Sequence, residues 1–371
     1  MIKVLHFTLG IGRGGTERQV SEIVQNCNKF KQYIVTLSYI EDNYFNNESI
    51  FLINSKNLII RLLKFNKIIE VIKPDIIIGW GTVPFIIAVI TKGLKNIKVI
   101  NASIRHGVFS KTKGGYVRML VARISKYVLA NSQAGLKVNK INKGIVLYNG
   151  VNERFNRKNY PESEGKKKSD TFIFVSIMNL LPYKDYFTIF KALKLLKNDG
   201  INFKYYIIGN GPMKKYYDNY LMINDLTQNV IFCGSVNNPE KYLAGADIFI
   251  HSSDGEGCSN AILEAMYMGL PIITTDTGGT LEILDNNAIT FSYQDYQALY
   301  KAISTLINDE KLRKEMREKS YSIVKERFTI ERMIKNYERI ISAIQGNDLN
   351  EISDLTFITN YADYINISEG V

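Results

Sequence analysis

Cysteine is scarce in this chain. Its 371 residues include three, Cys27, Cys233 and Cys258, far apart and in no C-x-x-C pair. That usage fits a reducing compartment and excludes a cysteine zinc site. Histidine is equally rare, at positions 6, 106 and 251. Long apolar runs are missing too. The longest uncharged stretch, 76–91, is too short to span a bilayer and is interrupted by Gly79, Gly81 and Pro84, so it reads as a strand followed by a helix. The opening MIKVLHF reads as a strand, not a signal peptide.

Negative charge is absent over a still longer interval. From Ile76 to Asn152 there is no Asp or Glu, against 12 Lys or Arg. Residues 1–150 hold 22 basic and 7 acidic side chains, and residues 151–371 hold 25 and 29, so the net +11 lies in the first part. Such a surface is a solvated basic face or one that docks on anionic lipid, where each cation near the membrane contributes roughly 1 kcal/mol. No nucleic-acid motif accompanies the charge, so nucleic acid is not an expected partner. The 46% hydrophobic and 22% charged content is ordinary for a globular protein.

What is present is a repeated alternation of apolar runs and amphipathic segments. Strands are predicted at 3–9, 33–37, 75–80, 98–102, 127–130 and 145–147, and again at 172–176, 204–208, 230–232, 248–251 and 271–274. Helical patterns separate most of them, which argues for parallel sheets with helices on both faces. The polar segment 152–170, with Pro161, Gly165 and a lysine run, reads as a linker. The expected fold class is therefore α/β, two Rossmann-like domains facing a central cleft: 1–151 and 171–328, followed by a helix at 329–346 and an acidic tail at 347–371.

The densest chemistry lies in HSSDGEGCSNAILEAMYMGLPIITTDTGG. Its glycines, with Ser259 or Asn260 as N-cap, mark a loop turning into a helix that is apolar on most sides. Glu264 in mid-helix needs hydrogen-bond donors, which ligand hydroxyls would supply. Glu256 precedes a helix start, where free N–H groups attract anions. The pair describes a pocket for a polyhydroxylated, anionic ligand. A second glycine-rich turn, Gly10-x-Gly12-x-x-Gly15, follows the first strand, but no acidic residue closes the second strand as a dinucleotide site requires.

The E-x7-E spacing of Glu256 and Glu264, with its flanking text, resembles the signature of retaining GT-B glycosyltransferases of the family four type. The resemblance covers about residues 1–340. It implies that Glu256 contacts the donor sugar, aided by the amides of Gly257, Cys258 and Ser259, and that Glu264 holds the ribose hydroxyls. It implies that Lys184 neutralises the diphosphate, that Gly209 lies near the nucleotide, and that Gly234, Ser235 and Val236 read the base through the backbone. The first domain becomes the acceptor side, the second the nucleotide-sugar side, and helix 329–346 crosses back to the first. Arg13, Gly14 and Gly15 match the family's glycine-rich turn, and His106 its first-domain histidine directed at the donor sugar. Glu256, His106 and Lys184 are then the catalytic candidates. One departure stands out: Asn179 occupies the position of an arginine that usually assists Lys184, and Arg13 or Arg105 could compensate.

GT-A transferases usually hold a metal with D-x-D, which this sequence lacks. No metal and no cofactor are expected; the nucleotide-sugar, a UDP-sugar by family habit, is a co-substrate. The expected acceptor is a glycan, polyprenyl-diphosphate-linked, for surface polysaccharide, O-antigen or capsule. The expected place is the cytoplasm, peripheral on the inner face of the membrane. The alternatives are a nucleotide-sugar epimerase on the same fold and a non-catalytic glycosyltransferase partner.

Overall fold

Residues 1–12, 14–39, 50–93, 95–160 and 171–358 are described by the structure, a computed structural model. Arg13, most of the expected linker (161–170) and the end of the tail (359–371) lie outside the described residues. The chain divides into two compact units, Met1–Asn149 with Ile330–Val371, and Gly150–Thr329.

Unit 1 runs β1 (Lys3–Thr8), α1 (Gly15–Asn26), β2 (Lys31–Thr36), β3 (Ile50–Leu52), α2 (Leu58–Ile72), β4 (Ile76–Trp80), α3 (Thr82–Lys92), β5 (Lys98–Ile104), α4 (Lys113–Arg123), β6 (Tyr127–Ala130), α5 (Gln133–Val138) and β7 (Lys143–Val146). These seven strands are parallel in the order β7-β6-β5-β4-β1-β2-β3. Alternate residues face opposite sides of each strand. Val4, Ile34, Ile76 and Ile100 pack under α1, while Leu5, Val35, Ile77 and Val99 pack under α2 and α3.

Unit 2 runs β8 (Phe172–Ile177), α6 (Tyr186–Asn198), β9 (Phe203–Ile208), α7 (Lys214–Ile223), β10 (Val230–Gly234), α8 (Pro239–Ala244), β11 (Ile248–His251), α9 (Asn260–Tyr267), β12 (Ile272–Thr275), β13 (Ala288–Phe291), α10 (Tyr296–Asn308) and α11 (Glu310–Arg327). Its sheet is parallel throughout, in the order β10-β9-β8-β11-β12-β13. Adjacent buried residues, Phe174 and Val175 on β8, Ile207 and Ile208 on β9, Ile248 and Phe249 on β11, make these strands apolar on both faces, as a sheet covered on two sides demands.

The chain then returns to unit 1. α12 (Ile330–Gly346) carries a stripe of Ile330, Met333, Ile334, Tyr337, Ile340, Ile341 and Ile344, all buried in the same core as α1. Lys98 caps its end by donating to Ile344 O (2.6 Å) and Gln345 O (2.5 Å). The described part of the acidic tail packs on the basic unit 1: 349–355 form a 3-10 turn and β14 (Thr356–Ile358) adds antiparallel to β7. Its Thr-Phe-Ile run suits an open sheet edge, and Arg339 anchors the approach with a bidentate pair to Asp354 (2.7 and 3.0 Å). Residues 152–160, expected as linker, form two 3-10 turns built into unit 2. There Asn156 donates to Tyr267 Oη (3.2 Å) and Arg157 grips Glu318 with both terminal nitrogens.

Candidate functional site

The strand order of unit 2 reverses between β8 and β11. Open α/β sheets bind ligands beyond the carboxyl ends of the strands at such a reversal. The loops leaving these two strands, 178–185 and 252–259, are joined to each other. Asp254 N donates to Tyr183 O (3.0 Å), and Ser252 Oγ donates to Asp185 Oδ2 (3.3 Å). Asp185 also caps α6 by accepting from Thr188 N (3.4 Å). A third loop clamps the second: Thr275 and Thr277 hydroxyls donate to Ser253 O (2.9 and 2.8 Å), and Gly279 N donates to Glu256 O (2.8 Å).

This framework presses Lys184 against Glu256, Nζ to Oε1, as an ion pair. Lys184 is only 7% exposed, whereas the Glu256 side chain keeps 18% of its surface in contact with solvent. Burial pulls the Lys184 ammonium down from 10.5 to about 7. The carboxylate beside it works in the opposite direction and favours the charged form. His251 closes β11 with Nε2 3.7 Å from the same Glu256 oxygen. It is fully buried, and burial together with the Lys184 charge holds it well below its ordinary 6.5, so it is neutral. Neither of its ring nitrogens has a hydrogen-bond partner among the described residues.

Beyond Glu256 the chain enters α9 through buried Gly257, Cys258 and Ser259. Ser259 is the N-cap but makes no side-chain capping bond, so its hydroxyl is not committed to the first turn. Glu264 lies at 2% exposure between Leu263 and Ala265, on the buried helix. At the neighbouring strand ends, Gly209 N donates to Gly234 O (2.9 Å), and Leu180 N donates to Asn210 O (3.0 Å). Gly209 has φ +143°, and a Cβ there would meet Met178 O at 2.2 Å. Only glycine allows that approach. The Asn210 side chain bridges the two turns, its amide oxygen accepting from Ser235 N (3.3 Å) and Oγ (3.1 Å) and its nitrogen donating to Gly209 O (3.3 Å). Asn179 and Ser235 are exposed and Val236 half-buried on this side.

Eleven of the candidate residues thus share the carboxyl edge of one sheet and the helix that follows: Asn179, Lys184, Gly209, Gly234, Ser235, Val236, Glu256, Gly257, Cys258, Ser259 and Glu264. The others belong to unit 1. Gly14 is the N-cap of α1 and Gly15 its first residue, at the carboxyl end of β1. His106 is exposed, just past β5. Arg105, offered as a substitute cation, stacks its guanidinium 4.4 Å from the Trp80 ring. From the sequence His251 is at most a pocket-lining residue, Asp185 only the start of a helix, and 277–279 only the end of the text around the Glu256–Glu264 pair. The one signal for His251 was its place at a strand end five residues before Glu256. Among the described residues no group of three or more His, Cys, Asp or Glu could hold a metal ion, and no helix is long and apolar enough to cross a membrane.

Residues 156–323 match the family Glycosyl transferases group 1. They form a group 1 glycosyltransferase domain. The chain is similar to the O-antigen biosynthesis glycosyltransferase WclY of Escherichia coli, 27% identical over 199 residues that cover 53% of this chain and 54% of that one. It is also similar to the N-acetylgalactosamine-N,N'-diacetylbacillosaminyl-diphospho-undecaprenol 4-alpha-N-acetylgalactosaminyltransferase of Campylobacter jejuni, 27% identical over 179 residues, 47% of each chain. It spans about half the length of the curated relatives it matches. Anabaena Alr3699/HepE, solved in complex with UDP-glucose, superposes with a TM-score of 0.79 at 18% identity, over 92% of this chain and 100% of that one. At that identity the likeness shows the fold alone. It is the GT-B glycosyltransferase fold, with the group 1 domain as its second Rossmann-like unit.

Proposed function

We propose that the protein transfers a hexose or N-acetylhexosamine, with retention, from a UDP-sugar to a lipid-linked glycan acceptor in surface polysaccharide assembly. The observation that carries this reading is the meeting of Lys184 and Glu256, 72 residues apart, at the strand reversal of the group 1 glycosyltransferase domain. The donor part is supported by the UDP-glucose held by Anabaena HepE, and the acceptor part by the diphospho-undecaprenol named for the Campylobacter relative.

In the unliganded site Glu256 neutralises Lys184. A diphosphate entering the loop edge gives the ammonium stronger oxygen partners, and Glu256 is released toward the sugar hydroxyls. Lys184 and the amides at the start of α9 then stabilise the charge that grows on the leaving diphosphate. Glu264 accepts from the ribose hydroxyls, and Gly234 to Val236 read the base through their backbone. Unit 1 holds the acceptor, with Gly14, Gly15 and His106 as its contribution to transfer; Arg13 belongs to the same proposed set. The acceptor attacks from the face the diphosphate leaves, and the diphosphate takes its proton. Rate enhancement comes from positioning and electrostatics, without a metal or a covalent nucleophile in the scheme.

Calorimetry against UDP- and GDP-sugars, followed by donor turnover, tests the reading. UDP-sugars are expected to bind and to be slowly hydrolysed. Glu256→Ala and Lys184→Ala should each lower turnover by about a hundredfold or more, the usual scale for a lost transition-state contact. Full turnover in both folded variants would overturn the assignment.

A further inference from the structure

Exposed apolar side chains are unevenly spread. On unit 2 the described ones are Tyr183, Tyr216, Met222, Ile223 and Leu281. On unit 1, apart from Met1, Leu9, Tyr39 and Leu52, they gather on three adjacent helices. α2 exposes Leu58, Ile59, Ile60 and Leu63; α3 exposes Val89 and Ile90; α4 exposes Tyr116, Val117 and Leu120, followed by Ile124 at 77%. α3 packs between α2 and α4, and all three contribute to the layer over Leu5, Phe7, Ile77 and Val99. Apolar exposure this concentrated marks a contact surface more often than chance.

The same helices are cationic. They carry Arg61, Lys64, Lys67, Lys92, Lys113, Arg118 and Arg123 against one carboxylate, Glu70. Arg118 Nε and Nη2 are buried without a hydrogen-bond partner among the described residues. At the end of α4 the layer runs into a pocket of about 310 Å³. Arg123, Lys126, Lys140 and Lys143 line it, and among the described residues no carboxylate does. Four cations around one cavity repel each other, and an anion entering it offsets that repulsion.

We infer that the α2–α3–α4 layer is a docking surface for an anionic lipid bilayer, with the pocket at the end of α4 receiving a headgroup phosphate. Charge and apolarity together select this occupant. A nucleic acid would match the cations but not the exposed leucines and isoleucines. A second copy of the chain would match the apolar side chains but set like charges against each other. A bilayer of anionic headgroups over acyl chains matches both. The inference deepens the proposed lipid-linked acceptor and rests on that reading for its purpose, while its observations are independent.

Flotation of the full chain with phosphatidylcholine vesicles, with and without phosphatidylglycerol, tests it. The protein is expected to float with the anionic vesicles only and to be released by salt. Two variants address the two features: Ile59→Gln/Leu63→Gln/Leu120→Gln, and Lys126→Glu/Lys143→Glu. Both change exposed positions. Each should lower vesicle partitioning by about tenfold or more, the scale of one or two surface cations, with the melting temperature and UDP-sugar affinity unchanged. Absence of anionic-vesicle binding in the native chain, or native-level binding in both variants, overturns the proposal. So does a native dimer that the triple variant converts to monomer without any vesicle binding, which assigns the face to self-association. Vesicle binding without any UDP-sugar binding would keep this surface and remove the donor reading; the converse would do the opposite.

Discussion

Lys184 is held by two opposed influences, burial that drives off its proton and a carboxylate that retains it. A diphosphate needs the charged form. UDP affinity is therefore expected to be full below about 7 and to fall as pH rises through the Lys184 value. Calorimetry across that interval measures it, and Lys184→Met should be weak and flat with pH; a flat native profile would count against the site. His6 behaves differently. Its Nδ1 accepts from Trp80 Nε1 (2.9 Å), so the remaining proton sits on Nε2 and is donated to Gln32 Oε1 (2.8 Å). Burial takes it from 6.5 down to about 4. The unfolded chain binds a proton that the fold refuses, so this stability is intact above 6.5 and lost as pH falls toward 4, by roughly 3 kcal/mol. Urea denaturation at several pH values should show that slope, and His6→Asn should flatten it. The reading of His6 as core was open to sequence, because it lies within an apolar strand. The crowding of His251 against Lys184 was not.

At the scale of elements, the turns at the carboxyl ends of β8 and β9 depend on backbone approach. Gly209 was legible as a turn glycine, but not the reason for it, a neighbouring carbonyl at 2.2 Å from where a Cβ would stand. Gly209→Ala is expected to lower stability by about 1–3 kcal/mol, the cost of forcing a residue into such a conformation. It should also weaken UDP binding, because it displaces the loop that carries Lys184. A variant with native stability and native affinity would contradict this. β14 shows the opposite limit. Three residues in a polar, acidic tail carry too little periodicity to announce a strand; an unpaired edge on β7 supplies the partner that makes them one.

For the whole molecule, the return of α12 to unit 1 decides where stability resides. Its apolar stripe fills the core over the first sheet, although 180 residues separate Asn149 from the start of α12 at Ile330. Ile340→Ala or Ile341→Ala should each cost about 2–5 kcal/mol, since both side chains are fully buried. Calorimetric unfolding checks the magnitude. UDP affinity, a property of unit 2 in this reading, should survive in the folded variants, and its loss would show that nucleotide binding depends on the first unit.

The repeated alternation of strand and helix, the apolar stripe of α12, the glycine turns and the Glu256–Glu264 spacing were all present in the sequence, because each arises from a local backbone or a single helix. Which distant groups meet was decided by tertiary structure. The reversal of strand order between β8 and β11 brings Lys184, Glu256 and His251 together, and no local periodicity encodes an order of strands. The basic composition of the first half was likewise visible in one dimension. Its gathering with exposed leucines and isoleucines on one layer of helices came from packing, since only the sheet determines which side of each helix is left to solvent.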